Sequence, residues 1–460
     1  MDAERRDATD LRRGLALSIG AGPLRAALAV LLAVALALHG PERFGLFLAL
    51  QAPLHVAARA AALGLDRALL AWLGTDAARR LAGPALRGVL ALTGAAASLV
   101  TLALIHAGGP PLLAWMALAL VPMVLTEVLV HAALARRRLA APLIVREGVI
   151  ELGTVVLAIA LHRWDLGLAV AFVVARVAGL AAALLLARRA LAADLHAGVG
   201  ARLPRGLLRA GLRLWLWGLV GALHQRLDLI LLGALAEPRQ IGVYAACQHL
   251  AGAVRQLRRA FEPMVLAVVA EPAGAGDRAR LAAAFDRAAA LVTAAQAPVL
   301  AALIAFAGPL LDALGGLSSA LLPALLLCLA AAVEGTLGVH GLALIALGRA
   351  DLGVVHVLLA MSLMTAGMLA LVPPFGVLGA ALAVGLAGVS LALLQRRAAA
   401  RLLGRPPRLP GRTLAWIALG ALAMALAWHY ARPLGDLPAR ALALLAFTAL
   451  ALPGALRSAR

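Results

Sequence analysis

An all-α polytopic membrane protein with about fourteen transmembrane helices is what this chain is expected to form, and composition, run length and arginine placement each point there. Of its 460 residues 63% are hydrophobic and only 14% are charged, far from the balance of a soluble globular domain. Apolar runs of about twenty residues recur from end to end, the length a helix needs to cross a bilayer. In lipid a helix satisfies its backbone N–H and C=O groups within its own segment, so the runs read as helices.

They fall at about 15–38, 44–70, 86–107, 112–135, 142–161 and 165–187, then at about 210–235, 241–270, 288–311, 320–347, 352–372 and 376–395, and lastly at about 413–430 and 440–456. The first run exceeds the core of a secretory signal and is expected to be retained as a helix. The basic connection from Ala187 to Arg213 parts six spans from six. The expected organisation is therefore an N-terminal lobe at 1–187 (spans one to six), a cytoplasmic connection at 188–209, a C-terminal lobe at 210–400 (spans seven to twelve) and two appended spans at 401–460. No residue-level repeat accompanies the split, and no loop is long enough for an extramembrane domain.

All 42 basic residues are arginine. Without lysine there is no P-loop lysine and no Schiff-base lysine. When the loops are assigned to alternate sides, 29 arginines gather on the side of the N-terminus, and only Arg43, Arg163, Arg239, Arg432 and Arg440 lie on the other. The positive-inside rule then puts both termini in the cytoplasm. A formal charge of +20 is explained by that asymmetry, and nucleic acid is not an expected partner. Cys247 and Cys328 both sit inside apolar runs with no CxxC spacing. Neither a metal nor a cofactor is expected.

With Arg87, Arg146, Arg213 and Arg440 at span edges counted with the loops, eight arginines lie within spans: Arg25, Arg59, Arg67, Arg176, Arg226, Arg255, Arg258 and Arg259. Span eight, with its stretch CQHLAGAVRQLRRAFE, concentrates three. At about 100° per residue, Gln248, Gly252, Arg255, Arg259 and Glu262 fall near one line, flanked by Arg258, while Leu250, Val254, Leu257 and Phe261 take the opposite face. Placing Arg255, Arg258, Arg259 and Glu262 in lipid would cost about 10 kcal/mol together. Two readings of that face stand: it lines a cavity, or its arginines snorkel to the cytoplasmic end. Counted from Ile241, Arg255 is about 21 Å deep and Arg259 about 27 Å.

Arg25 follows the helix-weakening GAGP of span one, and Arg59 lies near the middle of span two. Seven acids also lie in or beside spans: Asp66, Glu127, Glu147, Glu151, Asp228, Glu262 and Glu334. Some must neutralise arginines. Glu127 and His131 are four residues apart on one helical face, as are His224 and Asp228, a spacing that suits a proton relay. The ion-coupling candidates are Asp228, Glu127, His131 and Glu334. Asp66-Arg67 reads as a helix-end feature on the cytoplasmic side.

Four stretches carry a family resemblance. GPERFGLFLALQ and LGLDRALLAWLG, between Gly40 and Gly74, resemble the opening of bacterial polysaccharide-biosynthesis flippases. LDLILLGALAEPRQIGVYAACQHLAGAVRQLRRAFEP (227–263) is similar to their junction of spans seven and eight, and GDRARLAAAFDRAA then precedes span nine. VPPFGVLGAALAVGLAG (372–388) is similar to their turn between spans eleven and twelve, with Pro373-Pro374-Phe375 in place of a single proline and aromatic. The resemblance runs in order along nearly the whole chain. It reaches the superfamily of O-antigen flippases, lipid II flippases and multidrug (MATE-like) antiporters.

That resemblance implies two six-helix lobes in a MATE-like V around a central cationic cavity. It implies translocation of a lipid-linked oligosaccharide across the bacterial inner membrane by alternating access, with no bond made or broken. Lipid II flippases carry arginines in spans one, two and eight, so Arg25, Arg59 and Arg255, with Arg258 and Arg259, become candidate pyrophosphate contacts. Guanidinium forks match phosphate oxygens and stay protonated in apolar surroundings; pairing with intramembrane acids is the alternative. The implied partners are the lipid-linked sugar, membrane lipids, and a polysaccharide polymerase and glycosyltransferases of the same pathway. A lipid II flippase and a multidrug antiporter share the fold. A membrane glycosyltransferase or polymerase would be expected to carry catalytic carboxylates in sizeable soluble loops, which this chain lacks.

Overall fold

The computed structural model describes residues 22–73, 82–107, 110–136, 138, 140–195, 203–314 and 317–459. Among the described residues the secondary structure is helical throughout, with no strand, as the apolar runs require. By backbone contacts the chain divides into two units, 1–233 and 234–460.

The first unit opens with α1 (Gly22–Ala61), which is broken at Gly40, where φ is 76° and ψ is 158°. Pro41 follows and starts the next helical stretch, a position where its missing N–H loses nothing. A tight turn at Leu63 and Gly64, both with positive φ, leads to α2 (Leu65–Leu73). Glycine is required at 64: a Cβ there would come within 2.3 Å of the Gly211 carbonyl oxygen. Next come α3 (Ala82–His106), α4 (Pro111–Ala117) and α5 (Leu120–Ala135). A π-helical stretch, Leu143–Glu151, runs into α6 (Leu152–Ala160). Then follow α7 (Gly167–Leu195) and α8 (Arg205–Leu235). Buried Leu65, Leu69, Val89, Val128, Val145 and Leu207 form the core that joins them. The indole N–H of Trp215 in α8 donates to the Ala60 carbonyl at 2.9 Å, close to the turn that Gly64 makes possible.

The second unit holds α9 (Pro238–Gly274), α10 (Arg278–Ala313), α11 (Leu321–Gly338), α12 (Leu342–Ala346), α13 (Ala350–Leu403), α14 (Gly411–Ala431) and α15 (Asp436–Ala459). In α13 the helix breaks at Gly376, with φ 52° and ψ −127°, just after Pro373-Pro374-Phe375. Gly367 lies against Ala383 across that break, although sixteen helical residues would span about 24 Å. The chain therefore doubles back at Gly376, as the resemblance implies for the turn between spans eleven and twelve. The α14–α15 hairpin packs on α10 through Met424, Phe447, Ala451 and Ala301.

Ten described helices are long and apolar enough to cross a membrane, against about fourteen expected. The difference lies in four places. The expected span 15–38 falls partly outside the described residues, and 142–161 is divided between the π-helical stretch and α6. Spans 352–372 and 376–395 form one element broken at Gly376, and α9 carries too many polar and charged residues to qualify by composition.

Candidate functional site

In the first unit a cavity with about 690 Å³ of empty space, its open mouth included, is lined by His55 and Arg59 of α1, Thr126 and Glu127 of α5, Arg146 and Glu151 of the π-helical stretch, and Arg176 of α7. A π-helix adds about one residue per turn, and here that local widening carries Arg146, Ile150 and Glu151 to one lining surface. The charges are cross-linked. Arg146 clasps Glu127 through two parallel hydrogen bonds, Nε to Oε1 at 3.0 Å and Nη2 to Oε2 at 2.6 Å. Arg59 donates to Asp66 Oδ2 at 2.5 Å and lies 3.8 Å from Glu127 Oε2.

Asp66, expected as a helix-end feature on the cytoplasmic side, lies in the first turn of α2 and is 1% exposed. The turn at Gly64 swings α2 so that its first turn faces Arg59. Its second oxygen, Oδ1, is buried without a hydrogen-bond partner. His131 sits four residues after Glu127, as expected, and its Nδ1 lies 2.7 Å from the Glu127 carbonyl oxygen, 3.8 Å from Asp66 and 3.9 Å from the Glu127 carboxylate. Asp66, Glu127 and His131 thus bring metal-ligand-type atoms within 4.8 Å of one another. Both carboxylates already hold a guanidinium, so the geometry is that of an ion-pair network rather than of an open cation cage.

Arg176 is 3% exposed. Its Nη1 donates to Thr154 Oγ1 at 2.9 Å, whose own hydroxyl donates to the Ile150 carbonyl at 2.6 Å. The guanidinium stacks 4.3 Å above the Phe172 ring, a cation–π contact favourable in a dry site. The nearest carboxylate oxygen, on Glu151, is 3.8 Å away. Arg226 of α8 acts electrostatically on both His55 and Arg176.

In the second unit the polar face of α9 is organised by neighbours. Arg255 donates to the Gln248 side chain and, at 3.4 Å, to its backbone carbonyl, and Gln248 donates to the Tyr244 hydroxyl. Arg258 lies 3.3 Å from Glu262 and 3.8 Å from Glu334 of α11. Gly388 makes room for Glu334, whose Oε2 would lie 3.1 Å from a Cβ at that position. Arg259 is exposed. Asp228 accepts the N–H of Leu229 at 2.8 Å. The side chain of Arg25 lies outside the described residues. Arg59 belongs to the first unit and Arg255, Arg258 and Arg259 to the second.

Arg146 was legible only as one more basic residue of a loop. A signal was present: Arg146, Glu147 and Glu151 interrupt an apolar run with both signs of charge, which suggests an internal pair rather than a loop end.

The profile of a polysaccharide biosynthesis protein family matches residues 88–318, half of the chain. Among solved structures the chain resembles the lipid II flippase MurJ in an inward closed conformation, at 12% identity and a TM-score of 0.69 over 94% of this chain and 98% of that one. It also resembles an inward-facing multidrug resistance MATE transporter of the MOP superfamily, at 14% identity and 0.66 over 83% and 98%. A third likeness is to a MOP superfamily transporter from Pyrococcus furiosus with a binding pocket described as reversed in polarity, at 15% identity and 0.54 over 86% and 95%. No curated protein matches significantly. These likenesses establish a MurJ- and MATE-like fold for a multi-pass membrane protein. With half its length matched by one profile, the chain belongs to the polysaccharide biosynthesis protein family.

Proposed function

We propose that this protein flips a lipid-linked oligosaccharide precursor across the bacterial inner membrane by alternating access, its arginines holding the pyrophosphate during reorientation. The observation that carries this reading is the cavity of the first unit, where Arg59, Arg146 and Arg176 line one space. Embedded guanidinium groups are expensive in lipid, and bidentate forks suit pyrophosphate oxygens. Family membership supports a sugar-polymer pathway. The proposal keeps the two-lobe organisation divided at 188–209, both termini in the cytoplasm, and a polymerase and glycosyltransferases as pathway partners. Arg25, Arg255, Arg258 and Arg259 remain proposed contacts beside Arg59, and Asp228, Glu127, His131 and Glu334 proposed coupling groups.

A lipid II flippase is the second reading, favoured by the likeness to MurJ. A multidrug antiporter fits less well, because aromatic residues, the usual walls for cationic drugs, make up only 4% of the chain. The test is flipping of a fluorescent lipid-linked oligosaccharide by the purified protein in vesicles, with lipid II and a cationic dye in parallel. Translocation of the oligosaccharide alone supports the first reading. Translocation of lipid II or the dye alone replaces it.

A further inference from the structure

The cavity of the first unit is close to charge-balanced, which bears on how a pyrophosphate enters it. Arg59, Arg146 and Arg176, with Arg226 near by, face Asp66, Glu127 and Glu151. The network carries about one net positive charge, whereas the pyrophosphate diester of a lipid-linked sugar carries two negative ones. Binding without compensation would leave an excess anion in a site of low dielectric, which is strongly disfavoured. The arginines are also occupied. Arg59 is spent on Asp66 and Arg146 on Glu127, so a diphosphate must draw them away to bind.

We propose that substrate and one proton enter this cavity together, Asp66 accepting the proton as the diphosphate draws Arg59 away from it. This rests on the reading of the cavity as a diphosphate site. Asp66 is the group singled out because it is 1% exposed, its Oδ1 has no hydrogen-bond partner, and Arg59 is the guanidinium in contact with it. Deprived of Arg59 and set beside a new anion, a buried carboxylate is neutralised by protonation. Glu127 is 27% exposed at its side chain and contacts both Arg146 and Arg59, so it retains a cation more readily. His131 Nδ1 lies 3.8 Å from Asp66 Oδ2 and is bonded to the Glu127 carbonyl oxygen, so it stands beside Asp66 without a hydrogen bond to it. The charged or titratable groups placed at Asp66 are Arg59 of α1 and His131 of α5, with Arg67 next to it in α2. Arg59 links it to the cavity, which His55, Arg146, Glu151 and Arg176 also line, and α3, packed on α2 and α5, carries Arg87 and His106 and no acid.

The exchange balances. Arg59 N–H groups leave the Asp66 oxygen for a phosphate oxygen, and one proton from solvent binds the freed carboxylate. Release of substrate restores the Arg59–Asp66 pair and returns the proton to the side the cavity then faces. One proton thereby moves with each substrate.

The test uses the full chain in nanodiscs and a short-chain prenyl diphospho-sugar, whose diester charge is constant across neutral pH. Binding is titrated calorimetrically in buffers of different ionisation enthalpy, which reports protons taken up. The wild type is expected to take up about one proton per ligand and to bind up to about tenfold more weakly for each unit of rising pH. Asp66→Asn is expected to bind without uptake and without pH dependence, and Asp351→Asn, at an exposed carboxylate of the second unit, to keep both. Binding with no uptake by the wild type overturns the proposal and leaves the flippase reading standing. Failure of the wild type to bind at any pH removes that reading and this inference with it. Uptake lost in Glu127→Gln and kept in Asp66→Asn overturns the assignment to Asp66. If Asp66→Asn does not fold, the wild-type stoichiometry and Glu127→Gln decide.

Discussion

Arg146 and Glu127 meet fork to fork, with hydrogen bonds of 3.0 and 2.6 Å, and so tie the π-helical stretch to α5 across the cavity. Charged hydrogen bonds contribute about 1.5–3 kcal/mol each when one partner is removed, and the loss of one member leaves the other charge unpaired. Arg146→Ala and Glu127→Ala are each expected to lower stability by about 2 kcal/mol. The double variant should lose clearly less than the sum, because the pair fails as a unit. Steric-trap unfolding in bicelles measures all three, and additive losses would show that the pair contributes nothing.

Gly64 is expected to tolerate no side chain. It combines a φ of 67° with backbone atoms of Gly211 and Trp215 at 2.3 and 2.7 Å from a Cβ. Backbone cannot step aside as a side-chain tip does, so Gly64→Ala should destabilise by about 2 kcal/mol or more. Gly221→Ala in α8, where a Cβ meets nothing within 4 Å, should be neutral or slightly stabilising by helix propensity. Equal thermal stability of the two variants in detergent would contradict the close approach.

Much of the architecture was legible because lipid leaves a chain few options. Apolar run length gave the helices, and the stretch around Pro373-Pro374-Phe375 gave the turn at Gly376. The span count was less legible where charge or local geometry departs from the rule, as in α9 and the π-helical stretch. The site was half legible. Glu127 and His131 share a helical face by spacing alone, and so did Arg255 with Gln248. Asp66 joins Glu127 only because the turn at Gly64 redirects α2, and Arg146 only through the extra width of a π-helix; neither is encoded in apolar periodicity.

Thr154 is the hydroxyl that satisfies Arg176, accepting from Nη1 at 2.9 Å. Thr154→Val keeps shape and leaves a buried guanidinium N–H without its acceptor, at a cost of about 1–3 kcal/mol. Thr154→Ser should preserve stability and substrate affinity to within about 0.5 kcal/mol. Matched stability and binding in Thr154→Val and wild type would mean that Phe172 and Glu151 alone hold Arg176.

Arg255 tests whether the arginine face of α9 serves substrate or merely reaches for water. Arg255 lies midway along the span, about 21 Å from Ile241 and about 22 Å from Ala270, and snorkelling to the expected cytoplasmic side would carry its guanidinium toward the C-terminal end. The structure holds it the other way, toward Gln248, seven residues nearer the N-terminus, with Gln248 fixed by Tyr244. Neutral groups hold Arg255, while Glu262 and Glu334 already neutralise Arg258, so Arg255 keeps more of its charge available to an anion. Arg255→Ala should therefore slow flipping of a fluorescent lipid-linked sugar by about tenfold or more, the equivalent of one charged hydrogen bond. Arg255→Lys should fall between, since an ammonium still attracts phosphate without the bidentate fork. Arg258→Ala should act mainly through stability, because it leaves two carboxylates without their cation. Rates are compared in vesicles at matched protein levels, and a wild-type rate for Arg255→Ala would remove this arginine from the transport path.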